Sequence, residues 1–414
     1  MLIRSGNIYK MIYLNNISNK SLRLVCNMKE ELLSPIASNK DIYKTLGNWA
    51  QKSSNSWQLG FFEEFAIYNG GFWNYQSLNV KGSSVNIILN NEFQTVKIAL
   101  KLKSKDICEI KINKDKKSTY FKCGKNMPAY STPDSTSFTD TKFQTIDTVT
   151  IIGYLRNIPI EKPFSVSFND PIKDDQVEFF ADLDSLGRFV LKFPLINTTQ
   201  VYLDWGRMTK MDVVEPGESY LLFYNFSDKQ QLIMGDNERF HNELTAYEIY
   251  YANRGQSREE YLKRENLGAM DFLNMKKEEL HDSYVHLNKY LEEHPFISEK
   301  FKYYQKNNYR FGVANRLMQR RFKLNRNAQE HFPDGFMGYI NDTLYQNIPV
   351  MPYTLVREYL TFMRDYIGYA EDIKGSKSFS ISWIDALLYM EKEGRIKFTD
   401  KENKIIKDFN NRRP

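Results

Sequence analysis

Along the first 237 residues, short apolar runs rich in Val, Ile, Phe, Tyr and Thr alternate with polar turn residues. That pattern reads as strands. Beyond residue 238 longer stretches of Glu, Lys, Leu, Tyr and Asn carry helical spacing instead. The pattern predicts three hairpins in the first region. The first joins 65–68 to 71–75 through Asn69-Gly70, a pair that tolerates positive φ at both turn positions. The second joins 85–89 to 96–102, and the third joins 108–112 to 119–123. Three hairpins in a row predict a meander or a small barrel. Trp49, Trp57 and Trp73 would either line a ligand cavity or fill its core, and large aromatics favour the core.

Residues 131–147, rich in Ser, Thr and Asp, read as a linker or long surface loop. Strands are then expected at 148–155, 163–168, 177–181, 188–193, 201–205, 211–214 and 219–226. Short strands with regular turns favour a sandwich. Glu215-Pro216-Gly217-Glu218 suits a type II turn, in which the third residue needs positive φ. On that turn alone, Gly217→Val is expected to destabilise more than Glu218→Val. In the last region a 4-3 spacing through Ile297, Phe301, Tyr304, Asn308, Phe311, Asn315, Met318 and Phe322 predicts one long amphipathic helix, with a break at Gly312. Further helices are expected at 354–369 and 383–391, the latter stopped by Gly394. The fold class is therefore α+β. A β-rich N-terminal region, 1–147, includes the linker; a β-sandwich domain, 148–237, and a helical domain, 238–414, follow.

Composition narrows the functional classes. With 414 residues, 42% hydrophobic and 14% aromatic, the chain is too apolar for wholesale disorder. The net charge of +6, from 57 basic and 51 acidic residues, is small for this length. No apolar run approaches a membrane span, and no apolar signal segment is legible at the N-terminus, which taken literally implies the cytoplasm. Cys26, Cys108 and Cys123 form no Cys-x-x-Cys pair, and all five His follow residue 240, so neither a dithiol nor a Cys/His zinc site is read. Buried free thiols are the expectation, with a bond between Cys108 and Cys123 left open. Asp182-Leu-Asp184-Ser-Leu-Gly187 fails as a calcium loop, because Leu186 and Phe193 fill ligand positions. No His-Glu-x-x-His, Gly-x-Ser-x-Gly or phosphate-loop motif occurs, so no catalytic residue and no cofactor are assigned.

One charge anomaly stands out. Lys300, Lys302, Lys306, Arg310, Arg316, Arg320, Arg321, Lys323 and Arg326 fall in a segment without an acidic residue, interleaved with Phe and Tyr. Basic groups neutralise phosphate and aromatic faces stack on unpaired bases, so nucleic acid or an acidic partner is one reading. A solvated face of an amphipathic helix, with acidic partners elsewhere, is the favoured one.

Three segments resemble a known family. They are Phe180-Ala-Asp-Leu-Asp-Ser-Leu-Gly187-Arg-Phe189-Val-Leu-Lys-Phe-Pro-Leu195, Val213-Val-Glu-Pro216-Gly217-Glu-Ser-Tyr-Leu-Leu222, and Met234-Gly235-Asp-Asn237-Glu-Arg-Phe-His-Asn242-Glu-Leu244. In this order they look like the N-terminal extension of TlpA/ResA-like thiol–disulfide oxidoreductases, where a Gly-x-x-x-x-x-x-Asn element opens the helical part. Gly235 and Asn242 match it. The resemblance implies a cell-envelope or periplasmic setting and a thioredoxin-fold domain carrying Cys-x-x-Cys. This sequence holds no such motif, so no redox residue carries over. The expectation is a non-catalytic substrate-docking or scaffold module whose partner is a protein or a thioredoxin-fold domain. Its oligomeric state is left open.

Overall fold

The computed structural model describes residues 2–5, 8–11, 23–25, 45–125, 129–138, 146–159, 162–170, 175–205, 208–251, 267–320, 332–345, 350–373, 383–394, 397–400, 402–403 and 406. Two compact units are present, Met1–Phe362 and Met363–Pro414. The architecture is mixed α+β, as the residue pattern predicts. Two short strands, β1 (Leu2–Ser5) and β2 (Ile8–Met11), pair with each other, and β3 (Arg23–Val25) joins a larger sheet.

The first main body is a closed antiparallel barrel. Its strands follow in chain order: β4 (Gly47–Gln51), β5 (Trp57–Phe61), β6 (Ala66–Tyr68), β7 (Gly71–Lys81), β8 (Ser84–Asn90), β9 (Thr95–Leu102), β10 (Ile107–Ile112) and β11 (Ser118–Lys122). Each strand pairs with its neighbours in sequence, and β11 returns to β4 through Tyr120↔Gln51, Phe121↔Ala50 and Lys122↔Trp49. Asn69 and Gly70 hold φ of 50° and 71°, the geometry their turn demands. Alternation does the rest. Val85, Ile87 and Leu89 on β8, Val96, Ile98 and Leu100 on β9, and Cys108 and Ile110 on β10 point inward with Trp49 and Trp73. Eight strands enclose just enough space for such side chains, so the interior is a packed core.

The second body is a pair of sheets. One has the order β15-β12-β18-β19, built from β12 (Asp147–Arg156), β15 (Arg188–Leu195), β18 (Ser219–Asn225) and β19 (Gln230–Gly235). The other has the order β17-β16-β13-β14-β3, with β13 (Phe164–Asp170), β14 (Asp175–Ala181), β16 (Thr199–Asp204) and β17 (Thr209–Val214). Val149, Ile151, Leu191, Phe193, Leu222 and Ile233 from the first share one core with Phe164, Val166, Phe179, Val201 and Leu203 from the second. A sandwich describes none of the barrel, which holds eight of the strands.

The outer face of the first sheet is not exposed. Tyr154, Leu221, Phe223, Leu232 and Met234 pack against Ala50, Trp57, Phe62, Phe65 and Ile67 of the barrel. Phe62 lies edge-on to Tyr154 at 4.9 Å, and Arg156 and Arg188 sit over the Phe62 and Phe65 rings. Burial on both faces explains why 220–224 is an unbroken apolar run.

The helices are α1 (Glu238–Tyr251), α2 (Ala269–Glu293), α3 (Glu299–Gln319), α4 (Asp334–Tyr339) with a π-helical turn at Ile340–Tyr345, α5 (Arg357–Ile373) and α6 (Trp383–Lys392). The expected stripe on α3 is real, since Phe301, Tyr304, Phe311 and Met318 are buried. The expected break at Gly312 is not: α3 runs through it, and the space beside Gly312 is open. Within 129–138 there is neither helix nor strand; Asp134 accepts from the Glu299 amide at 3.1 Å, and Phe138 meets Phe240 edge-on. Gly394 takes φ of 69° just past α6.

Candidate functional site

Where α1 meets the two sheets, its inward face is polar. The Pro216-Gly217 turn sets Glu218 at the start of β18, and Gly217 holds the positive φ (80°) that the turn needs. Asp212 projects from the neighbouring β17. Between them stands His241, fully buried, with Nδ1 2.7 Å from Asp212 Oδ1 and Nε2 2.5 Å from Glu218 Oε1. The ring also lies 4.6 Å from that of Tyr220.

The surrounding groups complete the network. The Glu215 amide donates to Glu218 Oε2 at 2.8 Å, and the Val213 amide donates to Asp212 Oδ1 at 2.9 Å. Lys210 donates to Thr245 Oγ1 at 2.7 Å and lies 3.5 Å from Asp212 Oδ2. One residue after His241, Asn242 faces the free edge of β19. Its Oδ1 accepts from the Ile233 amide at 3.0 Å and its Nδ2 donates to the Ile233 carbonyl at 2.9 Å, closing a strand edge that no further strand covers among the described residues. The next residue, Glu243, accepts from Arg239 and from the amide and hydroxyl of Ser298, the residue that caps α3.

Electrostatics follow from burial and pairing. Burial alone would depress the His241 imidazole, but Asp212 and Glu218 outweigh it and push its pKa up to about 10. Burial raises the Asp212 carboxyl, yet His241 and Lys210 bring it below its ordinary value. Glu218 goes the other way, because its burial outweighs the same imidazolium. With both ring N–H groups donated to carboxylates, the imidazolium has no lone pair to act as a base. What the cluster does is hold α1 against the turn and strand ends of both sheets.

The basic residues read from the sequence are dispersed. Lys300 donates to Glu215 Oε1 at 2.6 Å and Asn237 Oδ1 at 2.7 Å, so it belongs to the same network. Lys302 pairs with Glu299. Arg310 donates to the carbonyls of Leu344 and Thr343, and Arg320 donates to the Leu267 carbonyl while lying over Phe272. Lys306 and Arg316 are exposed. Arg321, Lys323 and Arg326 lie outside the described residues. Of the interleaved aromatics, Phe301, Tyr304 and Phe311 are buried, and the Tyr309 and Tyr247 hydroxyls meet at 2.7 Å.

Cys108 and Cys123 are buried thiols not bonded to each other, each pushed up to about 12 by burial; Cys26 lies outside the described residues. Asp184 serves a turn, accepting from the Leu186 and Arg188 amides and pairing with the Arg188 side chain. Among the described residues no group of His, Cys, Asp and Glu is placed to hold a metal ion, and no helix is long and apolar enough to cross a membrane.

Sequence reasoning missed the triad of His241, Asp212 and Glu218. Its members lie 29 and 23 residues apart along the chain, on separate elements, and match no motif. The available signal was the polar pair His241 and Thr245 at helical spacing, set among Phe240, Leu244 and Tyr247. In class, the chain is a mixed α+β protein in which His241, Asp212 and Glu218 are buried and paired with one another. No protein-family model, curated protein or solved structure matches it.

Proposed function

We propose that this chain is a non-catalytic substrate-docking or scaffold module of a TlpA/ResA-like thiol–disulfide oxidoreductase of the cell envelope, and that residues 148–237 are its β-sandwich domain. The observation that carries the reading is the Gly235-to-Asn242 element. It sits at the passage from sheet to helix, and its asparagine closes the edge of β19. Such an element is a folding device, in keeping with a module that presents surfaces rather than reactive groups. The buried thiols support the same reading, because a protonated, enclosed thiol is a poor nucleophile. The partner is a protein substrate or a thioredoxin-fold domain. A role through 300–326 in binding nucleic acid has less in its favour, since Lys300, Arg310 and Arg320 are engaged within the chain.

The test is insulin reduction in the presence of dithiothreitol. The purified chain is expected to leave the rate at its background value and to bind a TlpA-like thioredoxin-fold domain in calorimetry. Accelerated reduction by the chain alone would refute the non-catalytic reading. Absence of binding to the thioredoxin-fold domain would refute the docking assignment.

A further inference from the structure

A cleft of about 520 Å³ opens at one rim of the barrel, between the β7–β8 and β9–β10 turns. Ser83, Lys103, Ser104, Lys105 and Lys122 line it, and no carboxylate does. Lys103 is partly committed to Glu109 at 3.0 Å. The ammonium groups of Lys105 and Lys122 meet no carboxylate within ion-pair distance among the described residues, although Asp106 lies near enough to act on Lys122 electrostatically.

Lys122 is also held in place. It is half-buried, and its stem crosses the start of β4 so closely that a Cβ at position 47 would stand 2.6 Å from Lys122 Cε. Position 47 is glycine with φ of 116°, so the backbone there leaves room for the lysine. Burial strips hydration from that ammonium, Asp106 compensates in part, and Lys105 adds a like charge. An arriving anion relieves both penalties.

We propose that this rim cleft binds a phosphate-bearing anion. Lysines offer point charges suited to phosphate, the two serines add hydroxyl donors, and the lining lacks the arginine forks that favour bidentate carboxylate recognition. The site is independent of the docking role proposed above.

Calorimetric titration of the full chain with pyrophosphate tests it. Saturable binding is expected, weakened at least about ten-fold in the Lys105→Gln, Lys122→Gln double variant. A charge-matched double variant at the opposite rim, Lys114→Gln with Lys117→Gln, is expected to bind like the parent. Melting followed by circular dichroism checks that both fold. No saturable binding, or equal weakening in the two double variants, overturns the site. Sedimentation with phosphatidylglycerol against phosphatidylcholine vesicles then separates the sources. Pyrophosphate-displaceable binding to the anionic vesicles supports the site as one for a lipid headgroup; binding of free pyrophosphate without sedimentation supports it as one for a soluble phosphate.

Discussion

The buried triad makes a pH-dependent prediction whose sign and size can be worked out. Folding raises the His241 pKa from 6.5 to about 10. A group whose folded value lies above its unfolded one contributes fully below the unfolded value and loses that contribution as the pH climbs through the folded one. The window is therefore about pH 6.5 to 10, with a slope of one proton, about 1.4 kcal/mol per pH unit, and a total on the order of 5 kcal/mol. Removing the cation alone is costly for a related reason. His241→Phe leaves two carboxyl groups facing each other in the core, and breaking a buried pair in this way costs about 3–5 kcal/mol. Neutralising the triad, with His241→Gln, Asp212→Asn and Glu218→Gln together, removes its three charges and keeps amide donors and acceptors in place, and Lys210 keeps its bond to Thr245, so the loss is expected to be smaller.

Urea unfolding followed by circular dichroism, at pH values from 6 to 10, measures all three proteins. Titrations of groups away from this network are common to the parent and the neutral triple variant, so their difference curve reports the triad together with its Lys210 neighbour. That difference is expected to fall steadily as the pH rises from about 6.5. A flat difference curve, or a His241→Phe variant within about 1 kcal/mol of the parent at pH 6, would refute the ion-paired reading.

Further outcomes follow from neighbouring contacts. Asn242→Leu keeps the volume but orphans the Ile233 amide and carbonyl, so it should cost about 2–4 kcal/mol and speed amide exchange across β19; unchanged exchange there would count against the edge-closing role. The structure reverses the order expected from the turn alone at positions 217 and 218. Gly217→Val is expected to cost about 1–3 kcal/mol through backbone strain, and Glu218→Val about 3–5 kcal/mol through the lost partner of His241, as comparative melting would show. In a Cys26→Ser background, Cys108 and Cys123 should resist iodoacetamide at pH 8 and react only in urea; rapid labelling of the native chain would contradict their burial.

What the sequence made legible is what alternates. The hairpin β8–β9 and the strands β10, β14 and β15 alternate between more and less buried positions, and the Asn69-Gly70 turn of β6–β7 carries residues suited to its backbone geometry. Strands β4 and β5 escaped because alternation fails there. Trp49 faces the barrel interior while Ala50 and Trp57 face the first sheet, so both sides are apolar and no period survives. Strand β19 escaped for the opposite reason. Gln230 and Gln231 are buried by internal hydrogen bonds, Gln230 with the Cys123 carbonyl and Gln231 with Thr245, and in a sequence they read as solvent-facing. The triad shares this cause: buried polar groups resemble surface ones until the fold supplies their partners.

The same cause bears on where activity can reside. A base needs a free lone pair, a nucleophile needs a thiolate or an activated hydroxyl, and a basic recognition surface needs unspent charge. His241 has given both nitrogens to carboxylates, Cys108 and Cys123 are held protonated, and Lys300, Arg310 and Arg320 are spent on Glu215, on the Leu344 and Thr343 carbonyls, and on the Leu267 carbonyl. Buried charge of this kind is weak evidence for stability, since apolar replacements often match it, but it fixes which surfaces can meet. His241 can satisfy both nitrogens only when α1, β17 and the start of β18 are correctly aligned, and Lys300 ties α3 to the same turn. The network therefore selects one arrangement of sheets and helices. At one rim of the barrel, by contrast, Lys105 and Lys122 line a cleft and meet no carboxylate within ion-pair distance among the described residues.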